Sequence, residues 1–243
     1  MADPRPLPTA GERLAKRVAA LQGCSRRDAE ALIEGGWVEV DGQMVDDPAR
    51  RVDRQAVTVA ADAQPLSLTP VTLLWHKPAG VALATDQLLQ GLVPPSQALR
   101  PWHLKHLRCA SPMPAASSGL AVFAQHPSTL RMLREQGPLL EHEWMLDLPS
   151  RVEASTLAAL IERQADLAWG PRNPTLKLSV SSQSADRTRL RLAIKTYTPQ
   201  RLPAWLAGVG LTATTLQRLR LGRVALGPLA SGDWRLLTMH ERL

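Results

Sequence analysis

The sequence predicts an α+β chain of two unequal units: a small N-terminal module of two helices and a hairpin, then a larger domain with a mixed or antiparallel sheet. Three observations carry this. Two short amphipathic stretches, each closed by glycine, run into alternating residues around Asp41-Gly42. Residues 64–70, with two prolines and little pattern, separate that module from the rest of the chain. Beyond them strand-like runs outnumber helical ones, without the regular alternation of a doubly wound parallel sheet.

The elements come in order. Residues 1–10, MADPRPLPTA, hold three prolines and no apolar run, and are expected to be a disordered tail and not a signal peptide. The first module is expected over residues 11–60. Thr9-Ala10-Gly11-Glu12 has the form of a capping box, in which two side chains satisfy each other's orphan helix amides. Leu14, Val18 and Leu21 then recur at helical spacing while Arg13, Lys16 and Arg17 share another face, and Gly23 stops the helix. Ser25 caps a second helix, Asp28 suits its positive end, Ala29, Leu32 and Ile33 form its apolar stripe, and Gly35-Gly36 close it. Asp-Gly between alternating residues predicts a hairpin, with a further strand at residues 57–59. A linker is expected over 61–70 and the larger domain over 71–243. There, strands are predicted at residues 71–75, 119–124, 144–148, 176–180, 189–195, 224–226 and 234–237, and helices at 156–164 and 202–207.

Composition narrows the function. The 243 residues carry a formal net charge of +7, which favours a polyanionic partner, nucleic acid above all. No run approaches the ~18 apolar residues of a membrane span. Two cysteines cannot form a disulfide framework and suit a reducing cytoplasm. The charge is uneven: residues 187–243 hold ten Lys/Arg against two Asp/Glu, residues 11–59 eight against nine. The basic surface is therefore expected to be mostly C-terminal, with a local exception at Arg13, Lys16, Arg17, Arg26 and Arg27. The last two sit in the first turn of a helix, where backbone amides attract anions. A solvated charged face and a phosphate site both fit those five residues. His103-x-x-His106-x-x-Cys109 has ligand-like spacing, but it lacks a fourth ligand and is flanked by Lys105 and Arg108, so neither metal nor cofactor is expected.

The stretch ERLAKRVAALQGCSRRDAEALIEGGWVEVDGQMV resembles the S-four RNA-binding domain, whose two-helix motif grips structured RNA through its phosphates. The resemblance turns Arg13, Lys16, Arg17, Ser25, Arg26 and Arg27 toward RNA binding. In the larger domain HKPAGV, SSGLAVFAQHP, EHEWMLDL and LQRLRLGRVALGPLASGDWRLLT resemble, in order, the motifs of bacterial rRNA pseudouridine synthases, the branch with an N-terminal S-four domain. The resemblance implies a pseudouridine synthase-like fold without metal or cofactor. It places Lys77 in a loop bordering the family's pocket and Trp144 where the family's tyrosine stacks under a flipped uridine. Arg218 and Arg220, on one face of a strand, are expected to contact RNA as well.

The likeness breaks at the chemistry. The family's catalytic aspartate falls on Pro114, and the arginine that pairs with it on Pro203, or on Ala204 in the neighbouring register. Between Asp86 and Glu135 there is no carboxylate at all. No catalytic residue is therefore assigned. The expectation is a monomeric, non-catalytic protein holding structured RNA, ribosomal RNA or ribosomal particles. The alternative is an active synthase with a relocated carboxylate such as Asp86.

Overall fold

The chain divides into two compact units between Pro70 and Val71. The computed structural model describes residues 11–61, 63, 70–83, 103 and 106–243; the expected tail, most of the expected linker and Asp86 lie outside the described residues.

In the N-terminal unit, helix α1 (Leu14–Gln22) and helix α2 (Arg26–Glu34) bury Leu14, Ala15, Val18, Ala29, Leu32 and Ile33 against Val38, Val40 and Val52. Thr9 of the expected capping box lies outside the described residues, and Glu12 is not in a helix. Glu12–Arg13 is a short strand, β1, paired with β4 (Arg51–Val52), and α1 starts at Leu14 without a side-chain cap. The physical reason is that the first helix amides already have acceptors: Leu14 N donates to Arg50 O at 2.8 Å and Ala15 N to Pro48 O at 3.3 Å. Glu12 is left to pair with Arg17 and Lys16. Ser25 does cap α2, its Oγ accepting from Asp28 N at 3.1 Å. The hairpin is β2 (Val38–Val40) with β3 (Gln43–Met44). Asp41 and Gly42 both have positive φ, 52° and 75°, as a two-residue turn of this hand requires. Strand β5 (Val57–Val59) pairs with the other edge of β2.

The second unit is built on one mixed nine-stranded sheet. In chain order its elements are β6 (Thr72–Lys77), β7 (Arg108–Cys109), β8 (Ser118–Ala124), α3 (Pro127–Gln136), β9 (His142–Leu148), α4 (Ala154–Glu162), β10 (Thr175–Gln183), β11 (Thr188–Lys195), α5 (Leu202–Ala207), β12 (Thr215–Leu221), β13 (Val224–Ala225) and β14 (Trp234–Leu236). The spatial order is β10-β11-β9-β12-β8-β6-β14, with β13 on β12 and β7 on β8. Every pairing is antiparallel except β12 with β8. Among the described residues no helix is long and apolar enough to cross a membrane.

Two features of this sheet position the site. Gly119 has φ +103°, and a Cβ there would lie 2.3 Å from Arg218 O, so only glycine lets β8 approach β12. In addition, β12 carries a bulge between Arg218 and Arg220. Arg218 lies opposite Trp144, and Arg220 lies opposite Glu143. Because neighbours along a strand alternate in side, the bulge puts the two arginines on opposite faces and not, as expected from their spacing, on one.

Candidate functional site

Arg13, Lys16, Arg26 and Arg27 are exposed around α1 and the first turn of α2. Arg26 pairs with Glu30 on its own helix, at 3.2 Å and well exposed, and such pairs hold little energy. Arg17 is more committed, pairing with Glu12 and donating to Asp53 O at 3.0 Å. Ser25 works as the cap of α2 and also donates to Asp28 Oδ2 at 2.7 Å. Arg26 and Arg27 thus stand in the first turn of a helix whose backbone amides already favour anions, while Arg13, Lys16 and Arg17 lie at the start of α1.

The other cluster centres on the turn leading into β8. Pro114 heads that turn, its carbonyl accepting from Ser117 N at 3.1 Å and Ser117 Oγ at 2.7 Å. Two buried cations hold the turn by its backbone. Lys77 Nζ donates to Ala115 O (2.8 Å), Val81 O (2.7 Å) and Pro78 O (3.0 Å). Burial, with Arg218 close by, brings its pKa down to about 8. Arg218 Nε donates to Leu120 O at 2.7 Å, and its Nη2 reaches Ser111 O and Oγ, both at 2.9 Å. The guanidinium lies 5.6 Å from the centre of the Trp144 ring. Trp144 Nε1 in turn donates to Tyr197 Oη at 2.6 Å, and His142 meets the Tyr197 ring edge-on at 4.9 Å. His142 Nε2 is 2.9 Å from Gly137 O and so carries the proton. Burial and then the Arg218 charge keep the imidazole neutral, with a pKa of about 3. Burial also drives the Tyr197 phenol far above its usual range.

A cavity of about 330 Å³ opens beside this cluster, lined by Arg108, Cys109, Arg134, His142, Tyr197 and Arg218 among others, and by no carboxylate among the described residues. The acidic residues of β9 sit on its other face. Glu143 pairs with Arg191 (2.6 Å) and Arg220 (3.1 Å). Asp147 pairs with Arg187 (2.9 Å) and Arg189 (2.8 Å) and accepts from Thr215 Oγ1, which together hold its carboxyl well below the usual range.

These placements correct four expected RNA contacts. Trp144 is fully buried beneath Tyr197 and Arg218, with no face open for a base to stack on. Lys77 and Arg218 are equally buried, and their donors go to backbone carbonyls and Ser111. Arg220 is half-buried and divided between Glu141 (2.7 Å) and Glu143. His142 and Tyr197 are additions that the motifs do not single out. His142 shares the inward side of β9 with Trp144 two residues on, a pattern legible in the sequence. Tyr197 is the chain's one tyrosine, but nothing in its neighbourhood announces a buried partner.

Residues 12–57 match the S4 domain model. Over 94% of this chain and 96% of its own length, a Bacillus subtilis (strain 168) protein named an uncharacterized RNA pseudouridine synthase, YtzG, is 25% identical. The chloroplastic Arabidopsis thaliana protein SVR1, named as a putative ribosomal large subunit pseudouridine synthase, is 23% identical over 87% of this chain and 54% of its own. A solved pseudouridylate synthase superposes with TM-score 0.53 at 18% identity, covering 93% of this chain and 96% of that one. The chain thus carries an S4 domain and is similar over most of its length to proteins named as RNA pseudouridine synthases, whose fold it shares. It joins an S4 domain to a pseudouridine synthase fold, as the motif order implied.

Proposed function

We propose that this chain is a ribosomal RNA-binding protein that holds its RNA through the S4 module, acts as a monomer and does not isomerise uridine. One observation carries the reading. The motif position of the catalytic aspartate is Pro114, and no carboxylate among the described residues lines the cavity at Arg218. Uridine isomerisation in this family needs a carboxylate aimed at a base taken out of its stack. Pro114 supplies neither charge nor proton, and the position of the partner arginine, Pro203 or Ala204 in α5, supplies none either.

The test is a modification assay on transcribed rRNA with the full chain, scoring pseudouridine chemically. The expected result is stoichiometric binding without product. Site-specific pseudouridine that disappears in Asp86→Ala would overturn the reading and establish a relocated nucleophile.

A further inference from the structure

The cavity beside Arg218 holds a positive charge that no carboxylate among the described residues balances. Arg218 is fully buried, and a guanidinium removed from water requires an anion or a complete set of acceptors. Its Nε and Nη2 reach two carbonyls, a hydroxyl and the Met113 thioether, all neutral groups. Its Nη1 has no partner among the described residues. The ionisable groups within reach of its field, Lys77, Cys109, His142 and Tyr197, are cationic or neutral at pH 7. Arg108 and Arg134 add two more guanidiniums to the lining, and the lining contains no Asp or Glu among the described residues.

A second orphan lies in the same wall. Nε2 of His142 spends the ring's one proton on Gly137 O, so the buried Nδ1 is a bare acceptor with no donor among the described residues. Buried unpaired polar atoms are rare in native proteins and call for an occupant. Both residues line the cavity, so its wall carries a charged donor and a neutral acceptor, each shut off from solvent. Water at either atom would leave the charge standing.

We propose that this cavity binds a phosphate group carrying one proton: an anionic oxygen accepts from Arg218 Nη1, and the P–OH shares its proton with His142 Nδ1. The proton is what selects the ligand. A carboxylate or sulfate, unprotonated at neutral pH, would satisfy Arg218 and leave Nδ1 orphaned. An internal phosphodiester of RNA has no proton to share either. Inorganic phosphate and a phosphate monoester, including the 5′-phosphate of an RNA end, both qualify. Leu130, Leu133, Leu221 and Trp169 complete much of the wall. At about 330 Å³ the space exceeds a bare phosphate, leaving room for the organic part of a monoester.

The two cysteines report on this directly in the unaltered full chain. Cys109 lines the cavity, while Cys24 lies in the N-terminal unit. Maleimide labelling is followed at each cysteine by peptide mass spectrometry, with inorganic phosphate, sulfate at matched ionic strength, and one short RNA oligonucleotide bearing either a 5′-phosphate or a 5′-hydroxyl. Labelling of Cys109 is expected to slow saturably by the factor 1 + [L]/Kd, about ten-fold at nine times Kd, with inorganic phosphate or with the 5′-phosphorylated RNA. Phosphate should leave Cys24 unaffected, sulfate should protect neither, and the 5′-hydroxyl RNA should leave Cys109 unprotected. Arg134→Ala, at an exposed position on the rim, is expected to shift protection to higher phosphate concentration. Protection by inorganic phosphate identifies a free phosphate group as ligand, and protection by the 5′-phosphorylated RNA alone identifies an RNA end. Protection by neither, or equal protection by sulfate, overturns the proposal.

Discussion

The N-terminal unit and the C-terminal quarter of the chain use arginine in opposite ways. Residues 11–59 have no basic surplus, yet Arg13, Arg26 and Arg27 stand exposed beside a helix start. Residues 187–243 hold ten basic against two acidic residues, yet most of those guanidiniums are committed. Arg187 and Arg189 go to Asp147, Arg191 and Arg220 to Glu143, and Arg235 to Glu241. Arg201 donates to Ala168 O at 3.0 Å, and Arg218 holds the turn before β8. The neutralising carboxylates come mainly from β9, some forty residues earlier in the chain. A segment's net charge is therefore no map of its basic surface, because strand pairing brings in partners from elsewhere. Arg187, Arg191, Lys195, Arg201, Arg223 and Arg242 do lie exposed in the C-terminal quarter, but several of them share their charge with carboxylates of β9 and its approach.

Acid tests the buried half of the contrast most severely. The His142 pKa is about 3 in the folded chain against 6.5 for the free side chain, so the unfolded chain takes up a proton that the folded one refuses. Stability is full above pH 6.5 and falls as the pH drops toward 3, by on the order of 4 kcal/mol from this group alone. His142→Gln, whose amide can still donate to Gly137 O, should flatten that slope in urea unfolding followed at pH 7, 5 and 4. An unchanged slope would mean that the imidazole is not held neutral.

Asp147→Asn comes next. It breaks a carboxylate shared by two arginines, at a cost of roughly 3 kcal/mol. It should also release Arg187 and Arg189 toward solvent and so steepen the salt dependence of RNA binding. Retained stability would show that the ion pairs on this sheet face are idle.

On the exposed side, Arg26→Ala with Arg27→Ala should lower the slope of log K against log salt by about 1.4–1.8, since each phosphate no longer neutralised removes about 0.7–0.9, with the melting temperature unchanged. Arg189→Ala with Arg191→Ala should leave that slope alone. If the second pair moved it and the first did not, the assignment of the RNA-facing surface would be reversed. The smallest effect belongs to Ser25→Ala, which removes the cap of α2 for about 1 kcal/mol, read from the unfolding of the N-terminal unit.

Local punctuation is legible wherever a single residue type decides the backbone. Gly23 ends α1 in the left-handed region with φ 60°, and Asp41-Gly42 makes the hairpin turn. Helix α5 spans the expected residues, Leu202–Ala207. Helix α3 escapes the periodicity although Pro127 stands at its start, because Leu133 is its one fully buried residue and the apolar stripe is thin. The absent aspartate is readable by register against Ser118-Gly119-Leu120. The fate of Arg218 is not: it depends on a bulge in β12 and on where the β9 carboxylates come to rest, and both are settled by pairing between strands far apart in sequence.

The parallel junction of β8 with β12 spans just two residue pairs, Gln217 with Ser118 and Arg218 with Gly119. The sheet is thus two antiparallel leaves sewn by a very short seam, one ending at β12 and the other beginning at β8. Each leaf contributes a wall to the cavity: His142 comes from one, and Cys109, on the strand that edges β8, from the other. Bending concentrates where the stitching is shortest, so the tilt between leaves sets how wide that space stands. Arg218, reaching across to Leu120 O, is the brace that fixes the tilt, and whatever engages its free nitrogen will also decide how firmly the two leaves are locked.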